Sequence, residues 1–237
     1  MKVPLDPFLF KKYSKLNPRR LIFTAYARYE EKLSRFNFER YQIPEALPPH
    51  FERSLELRYA VNETAVTEEQ MRLLIAALAA TEQLGGAVVE VGAYRGATTA
   101  VLAPQTSRKY LAVDPYSGYG GAESDCEAML KRTAGIANVE HLRFTSGEAV
   151  ALIREQSISF VFVDAVHDFV NARFDSVSWG GVLMDNGLIA FHDTDSVQFA
   201  GVQRAVKELL VLSGSFYLFG HVSGLVILQK RRAKKCT

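Results

Sequence analysis

Two short segments of the sequence combine acidic and imidazole side chains. One reads DAVHD, with Asp164 followed three residues later by His167, and the other reads HDTD, beginning with His192 and Asp193. An imidazole titrates near neutral pH and can take a proton from a reacting group held beside it. The same residues also have ordinary structural uses, since His167 can lie in a turn, Asp193 can cap a helix and His192 can end a strand. The two segments become a candidate site only if the fold brings them together.

A third segment has the features of a nucleoside-binding turn. Gly92 and Gly96 allow a tight turn and a close approach of the backbone to a ligand, and the helix expected next offers unpaired N–H groups. Asp114 follows Gly92 by 22 residues, where an acidic side chain can accept both hydrogen bonds of a ribose diol. Such glycines also serve close packing alone, and Asp114 before Pro115 can be a turn or cap residue. Together, the glycines and the acid indicate a nucleoside ligand.

Glu90 bears on which nucleoside is bound. A dinucleotide site normally has a third glycine and leaves room for a pyrophosphate at the helix N-terminus. A carboxylate two residues before Gly92 would repel phosphate and attract a cation. This favours S-adenosylmethionine, which carries a sulfonium and an ammonium group, over a nicotinamide dinucleotide.

Short apolar segments alternate with helical segments from position 87 onward, which is typical of a parallel α/β sheet. The expected strands are 87–92, 109–114, 141–145, 158–164, 187–193, 215–220 and 224–230. The expected helices between them are 97–104, 122–133, 147–155, 169–180 and 197–212. Only three residues separate the last two strands, so these two must form an antiparallel hairpin. The expected fold is a Rossmann-like, doubly wound α/β sheet of seven strands, which binds ligands at the carboxyl ends of its strands.

The chain is expected to divide into an N-terminal helical extension (1–60), a sheet domain (61–230) and a basic tail (231–237). A capping box at Thr67 opens a helix expected to run to Leu84. The proline-rich stretch 44–49 interrupts the extension as a linker. The extension has one apolar stripe at helical spacing, formed by Ile22, Tyr26, Tyr29, Leu33 and Phe36. Its helix can dock on the domain or on a second subunit of a homo-oligomer, close as a lid, or meet an anionic acceptor or membrane.

Composition excludes several classes of protein. The 237 residues are 48% hydrophobic and 23% charged, which describes a globular chain and not a disordered or collagen-like one. The two cysteines lie far apart and outside any metal-binding motif, and no apolar segment is long enough to span a membrane, so we expect a cytoplasmic protein. Residues 1–60 carry 12 Lys and Arg against 7 Asp and Glu, whereas residues 61–228 carry 11 against 19. Because the basic residues lie outside the acidic body and no base-reading motif is present, nucleic acid is not an expected partner.

The glycine segment, VVEVGAYRGATTAVLA, resembles motif I of class I methyltransferases, and within them the catechol and caffeoyl-CoA O-methyltransferase group, in which E-x-G-x-x-x-G-x-[ST] recurs. The resemblance covers residues 64–230 and leaves out the first 60. It implies S-adenosyl-L-methionine as cofactor, with its ribose held by Asp114. The methionine half would be lined by Glu90, Gly92, Ala93, Tyr94, Gly96 and Thr98. The adenine would be framed by Gly147, Glu148 and Ala149.

The resembled group also uses a divalent cation to orient the acceptor hydroxyl. By position, this implies Asp164, His192 and Asp193 as metal ligands, and His167 as the catalytic base beside Asp164. The segments FVDAVHDF and AFHD are similar as well to those of bacterial sugar and antibiotic-tailoring O-methyltransferases. The imidazole of His192 departs from the Asp-Asn pair of the catechol group. Magnesium prefers oxygen ligands, so this departure indicates manganese, iron or zinc, or no metal.

The residues and the resemblance together predict an S-adenosylmethionine-dependent O-methyltransferase. Its acceptor would be a small hydroxylated molecule, such as a sugar or a natural-product precursor. The alternatives are an NAD(P)-dependent Rossmann oxidoreductase, which the missing third glycine disfavours, and a non-catalytic nucleoside-binding protein.

Overall fold

The computed structural model describes residues 18–34, 64–117, 121–155, 157–195 and 199–232. The strands in these residues are β1 Ala87–Val91, β2 Tyr110–Val113, β3 Val139–Leu142, β4 Ile158–Val163, β5 Leu183–Phe191, β6 Phe216–Val222 and β7 Leu225–Lys230. The α-helices are α1 Pro18–Ser34, α2 Glu68–Ala80, α3 Ala97–Leu102, α4 Glu123–Thr133, α5 Ser146–Ala151, α6 Phe169–Val182 and α7 Ala200–Leu212.

The seven strands form one sheet in the order β3-β2-β1-β4-β5-β7-β6. Strands β1 to β5 pair in parallel, and β7 pairs antiparallel with both β5 and β6. This confirms the predicted Rossmann-like sheet with a terminal antiparallel hairpin. The chain order reverses between β1 and β4, and open α/β sheets bind their ligands at such a switch point.

The central strands are buried on both faces, as expected for a parallel sheet covered by helices. Every residue of β4, which reads ISFVFV, is buried. On one face the core includes Trp179 of α6, whose indole N–H donates to the Ser146 hydroxyl at 2.9 Å. On the other face it includes Leu74 of α2 and Tyr110 of β2. This packing fixes where each strand ends, and hence where the candidate residues lie.

The third strand lies earlier in the chain than predicted, at Val139–Leu142 instead of 141–145. The reason is a second capping box, at the start of α5. The Thr145 hydroxyl accepts the N–H of Glu148, and the Glu148 carboxylate accepts the N–H of Thr145. Thr145 therefore begins a helix and cannot continue the strand.

Other boundaries shift while the elements stay, and the helix predicted over 147–155 ends at Ala151. The capping box at Thr67 is confirmed, but α2 ends at Ala80, and a 3₁₀ turn at Glu82–Leu84 occupies the rest of the segment predicted as helix. Strand β5 begins at Leu183, four residues earlier than predicted.

The N-terminal extension contributes α1, which packs against α7. The Lys207 ammonium group donates to the carbonyl oxygen of Leu33 at 3.1 Å. Ile22 and Tyr29, two members of the predicted apolar stripe, are 44% and 59% exposed in the single chain. Phe36, the linker 44–49 and the last five residues lie outside the described parts of the chain. None of the described helices is long and apolar enough to cross a membrane.

Gly201→Ala tests the contact that holds α7 against the start of α6. A Cβ at Gly201 would lie 2.4 Å from the backbone nitrogen of Phe169. We expect overpacking to lower the free energy of unfolding by about 1–3 kcal/mol in urea titrations. Gly181→Ala, near the end of α6, is the matched control because its added Cβ meets nothing within 4 Å, and it should be neutral or stabilising by up to about 1 kcal/mol. Equal effects of the two substitutions would contradict this view of the contact.

Candidate active site

The carboxyl ends of β1, β4 and β5 lie side by side. The N–H of Asp164 donates to the Val91 carbonyl at 2.9 Å, and the N–H of His192 donates to the Val163 carbonyl at 3.1 Å. Gly92 makes the first of these junctions possible, since a Cβ there would lie 2.1 Å from the Asp164 carbonyl oxygen. Its φ of +93° is also one that L side chains rarely adopt. The glycine turn after β1 and the two segments that combine acidic and imidazole side chains therefore lie at the same edge of the sheet, which we call its rim.

At this rim, two carboxylates and two imidazoles converge. His167 Nε2 lies 3.3 Å from Asp164 Oδ1 and 3.0 Å from Asp193 Oδ2. On the other side, His192 Nδ1 lies 3.3 Å from the same Asp164 oxygen and 3.5 Å from the same Asp193 oxygen. We call these four residues the rim cluster.

The rim cluster is electrically balanced in the absence of a cation. Burial alone would raise the pKa of Asp164, but the nearby His192 and His167 outweigh it and hold that pKa well below its usual range. Burial would likewise lower the pKa of each imidazole, but the carboxylates raise it to about 9 for His167 and about 10 for His192. Near pH 7 the imidazoles are therefore protonated, and a metal cation must displace protons to bind.

Members of the rim cluster differ from the nearby Asp168 in backbone conformation and in contacts. Asp193 has a φ of +58°, a costly backbone conformation for a residue other than glycine and one that is concentrated at functional sites. The ring of His167 packs against Phe199, with 4.3 Å between centroids. Asp168 instead caps α6, where its carboxylate accepts backbone N–H groups at the start of the helix. It therefore has a structural role outside the cluster.

The donor atoms of the rim cluster fit a divalent cation. Asp164, His167 and Asp193 each offer one ligand atom within 4.8 Å of the other two. His192 Nδ1 is buried without a hydrogen bond, although it faces both carboxylates. A cation held between this nitrogen and the carboxylate oxygens would give the buried atom a partner. A mixed oxygen and nitrogen donor set suits manganese, iron or zinc better than magnesium.

The predicted ribose ligand, Asp114, also shapes the glycine turn. Its two carboxylate oxygens accept the N–H groups of Tyr94 and Tyr116, each at 2.9 Å. Each oxygen keeps a second lone pair for a ligand hydroxyl. Gly96 ends the turn with a φ of +72°, and a Cβ there would lie 2.2 Å from the sulfur of Met129. Gly96 therefore serves close helix packing in addition to the turn.

Glu90 lies beneath the turn and not on its surface. Its carboxyl is buried and accepts hydrogen bonds from the hydroxyls of Thr99, at 2.6 Å, and Tyr110, at 2.8 Å. Burial, the dominant cause, raises its pKa to about 8, despite these two hydrogen bonds. Sequence reasoning expected a charged carboxylate here, but burial favours the neutral acid near pH 7 in the ligand-free protein.

The other predicted cofactor residues lie in the turn after β1, in α3 and in α5. Ala93 is buried in the turn, and the Thr98 hydroxyl in α3 is 3.3 Å from that of Thr64. Gly147, Glu148 and Ala149 lie in the first turn of α5, where Glu148 forms the capping box described above. Contact of these residues with a cofactor stays a prediction.

Sequence reasoning did not single out three side chains that complete the site. Thr99 and Tyr110 hold the Glu90 carboxyl, and Gln70 contacts His192 Nε2 at 3.1 Å. Gln70 is visible in the sequence as the third helical residue of the capping box at Thr67. Its contact with His192 depends on a pairing across 122 positions, which no local pattern encodes.

Comparison with known proteins gives the class. Residues 89–194 match a family model described as a methyltransferase domain, and no curated protein matches the sequence. A structure from Corynebacterium glutamicum is 12% identical, with 96% of each chain covered and a TM-score of 0.57. The O-methyltransferase NovP is 13% identical over 71% of this chain and 82% of its own, with a TM-score of 0.59. An S-adenosylmethionine-dependent O-methyltransferase from Thermotoga maritima is 17% identical over 73% of this chain and 68% of its own, with a TM-score of 0.52.

At these identities the structural likenesses establish the fold, and the matched segment runs from β1 to the rim cluster. The sheet has the Rossmann-like fold of methyltransferases, and residues 89–194 are similar to a methyltransferase domain. The matched segment supports a methyltransferase as the class of enzyme.

Glu90→Gln tests the protonation state of the buried acid. The folded-state pKa of about 8 exceeds the ordinary value of 4.5, so between these pH values the folded protein holds a proton that the unfolded chain has lost. Stability from this group should therefore fall as pH rises through that window, by up to about 1.4 kcal/mol per pH unit, and level off above it. Urea titrations from pH 5 to 9 should show a shallower decline for Glu90→Gln than for the wild type. Glu69→Gln, which changes an exposed acid on α2, should follow the wild type, and parallel profiles for all three proteins would refute the shift.

Proposed function

We propose that the protein is an O-methyltransferase that uses a divalent cation to present a hydroxyl group of a small acceptor, such as a sugar or a natural-product precursor, to S-adenosylmethionine. The rim cluster carries this proposal. Two carboxylates and two imidazoles lie at the ends of β4 and β5, beside the glycine turn that follows β1.

The position of the cluster fits methyl transfer. Transfer is an in-line displacement at the sulfonium carbon, in which the acceptor oxygen must be held about 3 Å from the methyl group. The donor occupies the switch point between β1 and β4 in this proposal, and the rim cluster begins with Asp164 at the end of β4. An acceptor bound at the cluster would thus lie next to the methyl donor.

The two imidazoles differ in ways that support different roles. The His192 side chain is 4% exposed and its Nε2 contacts Gln70, so only Nδ1 faces the cluster. The His167 side chain is 21% exposed, and its Nε2 contacts the same carboxylates. In this proposal Asp164, His192 and Asp193 hold the cation. The positive charge of the cation would lower the pKa of His167, whose neutral form takes the proton of the acceptor hydroxyl.

A cation at this site would lower the pKa of the acceptor hydroxyl and fix the position of its oxygen. Orientation of the base depends on the residues of the rim cluster. Asp164 and Asp193 lie beside His167 and orient its ring, so that Nε2 faces the place where the hydroxyl proton is released.

Asp164→Ala should separate methyl transfer from binding of the methyl donor. We expect turnover to fall about 100-fold or more, measured as S-adenosylhomocysteine formed with a panel of hydroxylated acceptors, because the residue contacts both imidazoles. Calorimetry should show S-adenosylhomocysteine bound within about threefold of the wild-type affinity. Asp185→Ala, at the opposite end of β5, should leave turnover unchanged. Absence of cofactor binding by the wild type at submillimolar concentration would overturn the proposed function.

His192→Ala and His167→Ala should have different effects. Loss of a ligand should weaken Mn²⁺ binding by His192→Ala in calorimetry and lower turnover at limiting Mn²⁺. Loss of the base should lower turnover of His167→Ala by about 10²–10⁴-fold while Mn²⁺ binding largely survives. The reverse pattern would make His167 the ligand and His192 the base.

A further inference from the structure

The side chain of Gln70 joins three parts of the fold that are far apart in sequence. It is 3% exposed and belongs to the first turn of α2. Its amide contacts the backbone of Thr67, the backbone of Ser223 in the turn between β6 and β7, and the ring of His192. The mechanism proposed above uses His192 but gives Gln70 no role.

The orientation of this amide is fixed by partners that cannot change polarity. The Thr67 N–H can only donate, and it lies 2.7 Å from Gln70 Oε1. The Ser223 carbonyl can only accept, and it lies 2.5 Å from Gln70 Nε2. Rotating the amide by half a turn would place two donors together and two acceptors together. Gln70 therefore presents its oxygen, and not its nitrogen, to His192.

An oxygen facing His192 Nε2 at 3.1 Å requires that Nε2 carry a proton. A neutral imidazole has one protonated nitrogen, so Nδ1 must then be the nitrogen with the lone pair. Nδ1 is also the atom that lies 3.3 Å from Asp164 Oδ1 and is buried without a hydrogen bond. When a cation displaces one proton of the imidazolium, Nδ1 is therefore the nitrogen left unprotonated and facing the carboxylates, which is the form that coordinates a metal ion.

We propose that Gln70 is a positioning residue for the metal site, which fixes the tautomer and the ring orientation of His192 so that Nδ1 is presented as a ligand. This inference rests on the metal-assisted function proposed above. Partners behind metal-bound histidines commonly change metal affinity by about 10–100-fold. Here the partner belongs to α2, so one residue of the capping box that starts this helix also orients a side chain of the rim cluster.

The test compares Gln70→Ala with Thr67→Ala by calorimetry with Mn²⁺. Both substitutions break the capping box, because Thr67→Ala removes the hydroxyl that accepts the Gln70 N–H. Only Gln70→Ala removes the partner of His192, since the Thr67 backbone N–H survives in Thr67→Ala. We expect Mn²⁺ affinity to fall about 10–100-fold for Gln70→Ala and to stay within about twofold of the wild type for Thr67→Ala. Gln70→Glu keeps an acceptor for Nε2 and should bind Mn²⁺ more tightly than Gln70→Ala.

A spectroscopic measurement on the wild type makes the test independent of whether the variants fold. In Zn²⁺-loaded protein labelled with ¹⁵N-histidine, long-range ¹H–¹⁵N correlations should show His192 coordinated through Nδ1 and protonated at Nε2. Coordination through Nε2, or equal Mn²⁺ affinities for Gln70→Ala and Thr67→Ala, would overturn the inference.

Titration of the same samples with S-adenosylhomocysteine separates the two levels of failure. No cofactor binding by the wild type would refute the proposed function itself. Cofactor binding without Mn²⁺ or Zn²⁺ binding would refute the metal-assisted form and this inference with it. Cofactor and metal binding that are both insensitive to Gln70→Ala would refute the role of Gln70 alone.

Discussion

The close contact between Gly92 and the peptide of Asp164 is the constraint on which the site depends. The two strand ends are joined by a hydrogen bond from the Asp164 N–H to Val91, and a Cβ at Gly92 would lie 2.1 Å from the Asp164 carbonyl oxygen. Any side chain at this position would separate the strand ends or twist the turn. Because the turn continues from β1 and the rim cluster starts at β4, this contact sets the distance between the glycine turn and the rim cluster. Glycine is therefore required for the placement of Asp164 as well as for the conformation of the turn.

Much of the fold could be predicted because its signals are local. Apolar runs bounded by turns identify the strands, and the three residues between the last two strands require an antiparallel hairpin. The third strand ends earlier than its apolar residues predict, because Thr145 and Glu148 carry the signature of a helix start. The early start of β5 has no such signal. It depends on pairing of Leu183 with Ile158 of β4, a tertiary contact.

The site could be predicted only where strand ends determine it. Asp164 and His192 follow neighbouring parallel strands, so the topology alone brings them together. The environment of Glu90 could not be predicted in this way, since its charge depends on burial beneath α3 and on the hydroxyls of Thr99 and Tyr110. The contact of Gln70 with His192 has the same origin, because it forms only when α2 packs on the sheet. The contacts of side chains that lie behind the reacting groups depend on tertiary packing, which short sequence motifs do not specify.

Glu90 and Asp164 show how the neighbours of a buried acid determine its protonation state. Both carboxyls lie at the ends of adjacent strands, and burial raises the pKa of each by itself. Glu90 has only hydroxyl donors, so burial prevails and the neutral acid is favoured, and the negative charge of Asp164 raises its pKa further. Asp164 has two imidazoles beside it, so its charged form prevails. The ionised carboxylates are thus concentrated at the rim cluster, and the neutral form of the acid beneath the glycine turn is favoured in the ligand-free protein. In the proposed function, a positively charged group of the methyl donor would stabilise the ionised form of Glu90.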